Sequence, residues 1–244
     1  MTTNSLVADL RAAAQLIRES KRIFVLSGAG ISKASGIPTY RDADGLWETG
    51  DNIKYSHIDG YRAHPDAFAK FWEERRGQMR ATTPNPAHQA LHALQKNKPG
   101  TLLVTQNVDG LLQQAGCTEV LELHGNLWRS RCGACSVVGK GVFGRCMRCG
   151  HRMRPDVVMF GEMLPEDVLL QAQIGATQSD LVLVTGTSAA VYPAADLPIT
   201  ALRYGAKLVI VDVDPPEGLR EAAHAVVVGP AEKVLPELMD RAFQ

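Results

Sequence analysis

Six short apolar runs, rich in β-branched residues, are the feature that most limits how this chain can fold. They occupy residues 22–28, 101–107, 119–125, 181–186, 207–214 and 224–229. Continuous apolar runs of this length are typical of strands that are covered on both faces of a sheet. Helical patterns alternate with them, as at 86–97, 193–205 and 230–244. This alternation predicts an α/β fold with a doubly wound parallel sheet.

Two stretches interrupt this pattern and predict a second, smaller lobe. Residues 48–83 are polar and aromatic and contain no obvious strand, whereas residues 129–155 are rich in Gly, Cys and Arg. We therefore assign residues 1–47, 84–128 and 156–244 to the sheet domain. The two interruptions are assigned to the small lobe as a helical module and a cysteine-rich module.

The composition is that of an ordinary globular protein, and its charge balance argues against nucleic acid or an anionic membrane as the partner. Of 244 residues, 45% are hydrophobic and 21% are charged, with 26 basic and 26 acidic side chains. A chain without net charge has no overall field to attract nucleic acid or an anionic membrane. The first residues lack a signal-peptide pattern, and no run of about 18 apolar residues offers a membrane span. We therefore expect a cytoplasmic protein without a specific nucleic-acid partner, for which a monomer is plausible.

Four of the five cysteines form two C-x-x-C pairs separated by ten residues, and this spacing predicts a metal site. Two such turns can present four thiolates to one tetrahedral zinc ion. Because four cysteine ligands leave no open coordination position, we expect the ion to hold the small lobe together and not to catalyse. A redox pair is the alternative, although such a pair normally lies beside a βαβ core. The predicted ligands are Cys132, Cys135, Cys146 and Cys149, while Cys117 is expected in the core.

Polar residues follow several of the predicted strands, at the edge where parallel sheets bind ligands. They are Gly28–Ser32, Gln106–Asp109, His124, Gly186–Ser188 and Asp212. Any one of them alone can be a turn or cap residue, and a lone histidine is more often structural. Together they predict one crevice that contains their polar groups.

The first of these stretches begins like a dinucleotide-binding fingerprint and then departs from it. Gly28 and Gly30 supply the G-x-G that lets backbone approach a phosphate, but Lys33 stands where the third glycine belongs. The departure argues against an ordinary dehydrogenase turn.

Several longer motifs follow one another in a fixed order along nearly the whole chain. They are "GAGISKASGIP" with "YRDADGLW", "TQNVDGL", "ELHG", the paired C-x-x-C, "RPDVVMFGE", "GTSAAVYPAA" and "GPAEKVLPEL". In this order they resemble the sirtuins, which are NAD-dependent protein lysine deacylases. The resemblance implies a Rossmann-like NAD domain with a small lobe made of a zinc module and a helical module. It also implies NAD as a consumed co-substrate, one structural zinc ion per chain, and acyl-lysine proteins or peptides as substrates.

The resemblance also implies a reaction and a role for three residues. The acyl-lysine carbonyl oxygen attacks C1′ of the nicotinamide ribose, expels nicotinamide and leaves an imidate. His124 matches the catalytic base, which helps to deprotonate a ribose hydroxyl that attacks the imidate. Asn107 and Asp109 match residues that position the nicotinamide ribose and carboxamide. The products are free lysine, nicotinamide and O-acyl-ADP-ribose.

Further binding residues are implied by the same motifs. The NAD contacts include Gly28, Ala29, Gly30, Ile31, Ser32, Tyr40, Arg41, Trp47, Gln106, Asn107, Val108, Asp109, Gly186, Thr187, Ser188, Asp212 and Ala231. The substrate peptide is expected to pair with a strand formed by Val158, Met159, Phe160, Gly161 and Glu162.

Three positions depart from the usual sirtuin pattern. Thr39-Tyr40 replaces Asp-Phe, Leu112 replaces a histidine, and Asp212 replaces an asparagine. Tyr40 keeps an aromatic wall at the reacting ribose, and the Asp212 carboxylate can still accept hydrogen bonds from ribose hydroxyls.

The acyl group is the open question. Thr39 and "DADGLW" resemble a subgroup that prefers succinyl or malonyl lysine and holds the distal carboxylate with Tyr-x-x-Arg. This chain has Trp72-x-x-Arg75 instead. Arg75 can pair with a carboxylate, but Trp72 cannot replace the tyrosine hydroxyl. The alternative makes Trp72 and Arg75 ordinary helix residues, one packed and one solvated, on a helix where Glu73 can meet Arg76 at i,i+3 spacing.

Two other functions compete with deacylation. A sirtuin-like protein can transfer ADP-ribose to protein or only hydrolyse NAD, with the same cofactor loop. A non-catalytic zinc module can instead present arginines to nucleic acid, although the chain is neutral and lacks an aromatic stacking platform. Those arginines are Arg131, Arg145, Arg148, Arg152 and Arg154.

Overall fold

The computed structural model describes residues 3–39, 50–141 and 144–244, without the side chains of residues 3–8. Tyr40, Arg41 and Trp47, three of the predicted NAD contacts, lie outside these residues. The strands are β1 (Ile23–Ser27), β2 (Leu102–Thr105), β3 (Leu121–Glu122), β4 (Gly125–Cys132), β5 (Val138–Lys140), β6 (Met153–Val157), β7 (Leu181–Thr185), β8 (Lys207–Asp212) and β9 (Ala225–Val228). The helices are α1 (Thr3–Glu19), α2 (Gly50–Tyr55), α3 (Ile58–Ala63), α4 (Pro65–Met79), α5 (Pro86–Asn97), α6 (Leu111–Gln114), α7 (Glu166–Gln178), α8 (Asp196–Arg203), α9 (Glu217–Arg220) and α10 (Ala231–Phe243), with a 3-10 helix at Ala29–Ser35.

Six strands form a parallel sheet in the order β3-β2-β1-β7-β8-β9, which confirms the doubly wound α/β fold. Each of the six apolar runs contains one of these strands. The first strand, β1, lies in the middle of this sheet. β2 and β3 are added on one side of it, and β7, β8 and β9 are added later on the other side. Ligands bind such sheets outside the carboxyl ends of the strands where this direction reverses, here between β1 and β7. Ser27 lies level with Thr105 of β2 and Thr185 of β7, so the three strands end at one edge.

The two faces of the sheet pack into separate hydrophobic cores. Val25 and Leu183 belong to a cluster with buried residues of α1, α5 and α10. On the opposite face Phe24 and Val184 belong to a cluster with α7 and α8. The strands are therefore covered on both faces, as their continuous apolar runs predict. No helix among residues 3–39, 50–141 and 144–244 is long and apolar enough to span a bilayer.

A three-stranded antiparallel sheet in the order β5-β4-β6 forms the smaller lobe together with α2, α3 and α4. Phe68 and Trp72 are buried against Leu127 of β4. Arg76 is only 3% exposed and donates from Nε and Nη2 to the Leu127 carbonyl at 3.1 and 2.8 Å. The same guanidinium also bonds the Gly141 carbonyl. The helical stretch is thus fastened directly to the small sheet.

The small sheet extends beyond the predicted limits of the cysteine-rich module. β4 begins at Gly125 and β6 ends at Val157, so both strands cross from the predicted sheet domain into residues 129–155. The division into domains stays a prediction, but the strands show where the chain passes between the two sheets.

Candidate active site

The loops after β1 and β7 touch backbone to backbone, and this contact explains both glycines of the first motif. The Gly30 amide donates to the Gly186 carbonyl at 2.8 Å. A Cβ on Gly30 would lie 2.7 Å from the Gly186 Cα, and a Cβ on Gly28 would lie 2.7 Å from the Thr187 Cβ. Packing between the two loops therefore requires glycine at both positions. The fingerprint alone explains these glycines only by the approach of backbone to a phosphate.

Gly30→Ala is expected to lower the free energy of unfolding by about 1–3 kcal/mol, because the added methyl group meets backbone atoms. The midpoint of thermal unfolding measures this loss. Gly77→Ala is the matched control, since a Cβ there meets no atom within 4 Å and alanine favours the helix. A midpoint for Gly30→Ala at or above the wild-type value contradicts the packing argument.

Ser32 is the centre of a buried hydrogen-bond network that joins three predicted site residues. Its Oγ donates to Asp109 Oδ2 at 2.7 Å and accepts from Asn107 Nδ2 at 3.1 Å. Asn107 Nδ2 also donates to the Gly28 carbonyl at 3.1 Å. Burial raises the pKa of Asp109, and hydrogen bonds from the Leu111 amide, Ser32 and Asn107 oppose the rise. The network fixes the carboxylate of Asp109 and the amide of Asn107 at the edge of the sheet.

His88 belongs to this network, although the sequence patterns did not reveal it. The ring is fully buried, and its Nδ1 accepts the Asn85 amide in the capping box that begins α5. Nε2 therefore carries the proton of the neutral ring and donates to Ser32 Oγ at 3.3 Å. Burial lowers the pKa of His88 to about 4, so the ring is neutral at physiological pH. The available signal was "NPAH", in which Asn, Pro and His occupy helix-start positions.

His124 lies in the turn between β3 and β4, beside the end of β2. Its Nδ1 is 2.8 Å from the Gln106 carbonyl oxygen, which can only accept, so Nδ1 carries the proton. The unprotonated Nε2 is then the basic atom. Burial lowers the pKa of His124, and the hydrogen bond to Gln106 opposes the change. A neutral imidazole with a basic Nε2 is suited to general-base catalysis near pH 7.

A chain of hydrogen bonds continues from Gln106 across the other strand ends. Gln106 Nε2 donates to Thr187 Oγ1 at 2.8 Å, and the Thr187 amide donates to Asp212 Oδ2 at 3.0 Å. Asp212 Oδ1 accepts the Asp214 amide at 3.0 Å. Burial raises the pKa of Asp212. This carboxylate therefore fixes the loop that follows β7, in addition to any contact with ribose.

The other predicted NAD contacts are divided between this edge and the core. Ala29 and Val108 are partly exposed, and Ser188 is exposed. Three further residues have their side chains in a core cluster: Ile31, Ala231 and Leu112, the last of which stands where the sirtuin pattern has a histidine. Only the backbone of Ile31 and Ala231 is therefore available to a ligand.

The four predicted zinc ligands converge in the small lobe. Cys132 Sγ lies 3.5 Å from Cys149 Sγ, Cys135 Sγ lies 3.6 Å from Cys146 Sγ, and all four sulfurs are within 4.8 Å of one another. A tetrahedral zinc ion with bonds of about 2.3 Å places its sulfurs about 3.8 Å apart. The amides of Ala134 and Cys135 donate to Cys132 Sγ at 3.4 Å, which favours a thiolate. The donor set fits one zinc ion.

The sheet edge, the basic histidine and the cysteine cluster occur together in a sequence that matches a known family model. That model is described as Sir2 family, and it matches residues 28–193. The chain belongs to the Sir2 family. This confirms the resemblance to sirtuins.

Two relatives of this sirtuin match it over most of their length. A protein of Ralstonia nicotianae named NAD-dependent protein deacylase is 43% identical over 243 residues, which cover 96% of this chain and 98% of that protein. A protein of Thermus thermophilus with the same name is 45% identical over 217 residues, which cover 84% and 85% of the two chains.

Solved Sir2 structures share the fold. A Sir2 homologue in complex with NAD superposes with a TM-score of 0.86 at 35% identity, over 94% of this chain and 92% of that chain. A Sir2 protein with a deacetylated p53 peptide and 3′-O-acetyl ADP-ribose superposes with a TM-score of 0.84 at 33% identity, over 93% and 96%.

In this sirtuin the segment predicted to pair with the substrate peptide is not a regular strand. β6 ends at Val157, and residues 158–162 turn back on themselves. The Glu162 amide donates to the Met159 carbonyl at 3.0 Å, and its carboxylate accepts the Met159 amide at 2.9 Å. Glu162 thus closes the turn that the apolar pattern of this segment does not predict. Phe160 instead forms an isolated bridge with His57, and the peptide-binding role stays a prediction.

Trp72 and Arg75 have different surroundings. Trp72 is 6% exposed, and its Nε1 donates to the Tyr55 carbonyl at 2.9 Å. Its indole therefore serves the core of the small lobe. Arg75 is partly exposed, donates from Nη2 to Asn52 Oδ1 at 3.0 Å, and lies 5.7 Å from the Phe71 ring centroid. A role for Arg75 toward an acidic acyl group stays a prediction.

Four of the five arginines named for the zinc module have partners within the protein. Three of them are paired with carboxylates: Arg131 with Asp156, Arg152 with Asp66 and Arg154 with Glu162. Arg145 donates to the Gly150 carbonyl at 3.1 Å. Because acidic partners offset these charges, the structure gives little support to the nucleic-acid alternative.

Proposed function

We propose that this sirtuin is an NAD-dependent protein lysine deacylase that converts acyl-lysine, NAD and water into lysine, nicotinamide and O-acyl-ADP-ribose. One observation carries the proposal. The Nδ1–H of His124 is engaged by the Gln106 carbonyl, so a neutral imidazole presents Nε2 as a base at the sheet edge that holds Asn107 and Asp109. Relatives named NAD-dependent protein deacylase support the same conclusion.

The first step requires positioning and no protein base. The acyl-lysine carbonyl oxygen forms a bond to C1′ of the nicotinamide ribose, the bond from C1′ to nicotinamide breaks, and its electron pair leaves with neutral nicotinamide. Asn107 and Asp109, both fixed through Ser32, orient the ribose and the carboxamide. The backbone contact between Gly30 and Gly186 shapes the loop at the pyrophosphate.

The second step requires the base. His124 Nε2 accepts the proton of a ribose hydroxyl, whose oxygen attacks the carbon of the imidate. The imidazolium that forms keeps its Nδ1–H bonded to the Gln106 carbonyl. In the cyclic intermediate that forms, the carbon–nitrogen bond to lysine breaks and the protonated amine leaves as free lysine. Water then adds to the former carbonyl carbon, and opening of the ring gives O-acyl-ADP-ribose. A correctly placed general base contributes about 10²–10⁴-fold to such a step.

The cysteine cluster has a structural role in this proposal. Cys132, Cys135, Cys146 and Cys149 hold one zinc ion, which crosslinks the small lobe. Four thiolate ligands leave no position for water or substrate, so every reacting group comes from the sheet edge.

Mass spectrometry of the products tests the proposal. The protein is incubated with NAD and a panel of acetyl-, succinyl- and malonyl-lysine peptides, and we expect O-acyl-ADP-ribose that requires both NAD and peptide. ADP-ribose attached to protein, or free ADP-ribose formed without peptide, indicates the transferase or NAD-hydrolase alternative instead.

The acyl preference depends on Arg75. If its guanidinium reads a distal carboxylate, Arg75→Ala lowers kcat/KM for succinyl peptide about tenfold or more and leaves acetyl peptide nearly unchanged, because a charge-assisted hydrogen bond is lost. Arg62→Ala is the matched control, since Arg62 pairs with Asp59 on the exposed side of α3. Equal effects of Arg75→Ala on both peptides refute the role.

A further inference from the structure

The turn that carries His124 lies where the chain leaves the large sheet for the small one. β3 ends at Glu122 and β4 begins at Gly125, so the two residues between them belong to neither sheet. The Leu123 amide donates to the Thr105 carbonyl at 3.0 Å, while the His124 carbonyl accepts the Val158 amide at 2.9 Å. The base is therefore held between elements of both lobes.

Glu122 is a buried carboxylate that closes this turn. It is 9% exposed, although it belongs to an apolar run. Its Oε1 accepts from Gln113 Nε2 at 2.7 Å and from Asn126 Nδ2, and its Oε2 accepts from Arg129 Nη1 at 2.6 Å. Glu122 and Asn126 lie two residues before and two residues after His124. Their hydrogen bond is thus a clasp across the turn that holds the base.

Arginine side chains balance the charge of the clasp. Arg129 also donates from Nε to Asp156 Oδ2 at 2.8 Å, and Arg131 donates to Asp156 Oδ1 at 2.8 Å. Asp156 is on β6 and only 3% exposed. Arg129 therefore joins two buried carboxylates, one at the end of the large sheet and one in the small sheet.

Asn126 is also linked, through Trp128, to Asp109 in the loop that follows β2. Asn126 Oδ1 accepts the Trp128 amide at 2.8 Å, and Trp128 Nε1 donates to the Asp109 carbonyl at 2.6 Å. Asn126 Oδ1 thus supports the backbone of Asp109 through Trp128, by contacts that do not involve Glu122.

We propose that Glu122 is a positioning residue for His124, and that its clasp with Asn126 places Nε2 for the proton-transfer step. The proposal rests on the proposed deacylase function. Glutamine at position 122 offers one acceptor oxygen and a donor amide, so it cannot accept hydrogen bonds from all three neighbours. At least one donor then faces another donor, and the turn shifts.

A comparison of two rates separates this role from general destabilisation. Exchange of labelled nicotinamide into NAD, in the presence of acyl peptide, reports the first step, which uses no base. Formation of O-acyl-ADP-ribose reports the step that uses His124. We expect Glu122→Gln to lower product formation on the order of 10- to 100-fold, as misplacement of a catalytic group does, while exchange stays within about twofold of wild type.

Two further variants keep the test decisive. Asn126→Asp replaces the donor of the clasp by an oxygen that repels Glu122, keeps Oδ1 as the acceptor for the Trp128 amide and leaves the Glu122–Arg129 ion pair, so it decides the matter if Glu122→Gln does not fold. Asp66→Asn is the matched control, because it removes a carboxylate that pairs with Arg152 on the same lobe but is remote from the turn in sequence and exposed. We expect Asp66→Asn to leave both rates unchanged.

The outcomes distinguish the two proposals. Equal losses of exchange and product formation, or no loss of either, in the folded clasp variants overturn the positioning role of Glu122. Absence of any O-acyl-ADP-ribose from the wild-type protein overturns the deacylase function itself, and the exchange measurement then identifies the chemistry that remains.

Discussion

His124→Ala is expected to lower O-acyl-ADP-ribose formation by about 10²–10⁴-fold while nicotinamide exchange persists. The reason is that the two steps depend on different groups. Expulsion of nicotinamide depends on the acyl oxygen and on the groups that orient the ribose, whereas the second attack needs a base. Labelled nicotinamide exchange and product mass spectrometry, run on the same protein, measure both steps.

The pH dependence of product formation gives a second readout of the same residue. Protonation of His124 removes the lone pair on Nε2, so the rate falls on the acid side. Because burial lowers the pKa of His124, we expect this fall to begin below the ordinary histidine value of about 6.5. His64→Ala, which replaces an exposed histidine, serves as the control. A His124→Ala protein with wild-type product formation would remove His124 from the mechanism.

Cys132→Ala is expected to abolish stoichiometric zinc binding and unfold the small sheet. A structural zinc site contributes about 10–16 kcal/mol of apparent binding free energy. A whole domain is stable by only about 5–15 kcal/mol, so the small lobe is not expected to stay folded without the ion. The parallel sheet should stay folded, because its two cores contain no residue of the cysteine cluster. Zinc analysis measures the first effect, and hydrogen exchange of β4 and β6 against β1 and β7 measures the second.

Cys117→Ala is the matched control for this experiment. Cys117 lies in the core of the large domain, so its replacement tests the loss of a buried sulfur without touching the metal ligands. We expect full zinc content in that variant. Undiminished zinc content in Cys132→Ala would contradict the assignment of the ligand set.

The sequence was sufficient for the sheet, the zinc ligands and the strand-end residues. The six apolar runs and the two C-x-x-C pairs are local patterns, because each depends only on residues that are close together in the sequence. Parallel strands then bring their carboxyl ends to one edge, so His124, Asn107 and Asp109 could be placed at one crevice without coordinates.

Residues whose roles depend on distant partners could not be assigned in this way. His88 is defined by Ser32, which is 56 positions away along the chain. From the sequence, Arg76 looks like half of an i,i+3 pair with Glu73, and that pair exists at 3.2 Å. Its main contact, however, is the Leu127 carbonyl 51 positions away, which explains why the charge is buried.

The irregular backbone at residues 158–162 was not predicted for a different reason, while the peptide-binding role of this segment stays a prediction. Its apolar residues suit a strand, but the Glu162 side chain competes for the Met159 amide. A side chain that satisfies a nearby backbone donor ends strand pairing locally, and a pattern of hydrophobicity does not record that competition.

Gly125 pairs with Val157 where β4 and β6 enter the small lobe. His124 directly precedes Gly125, so the proposed base lies at the boundary between the two lobes, whereas the cysteine cluster lies about 20 Å further along β4. Loss of the metal therefore acts first at the end of β4 that is farthest from His124.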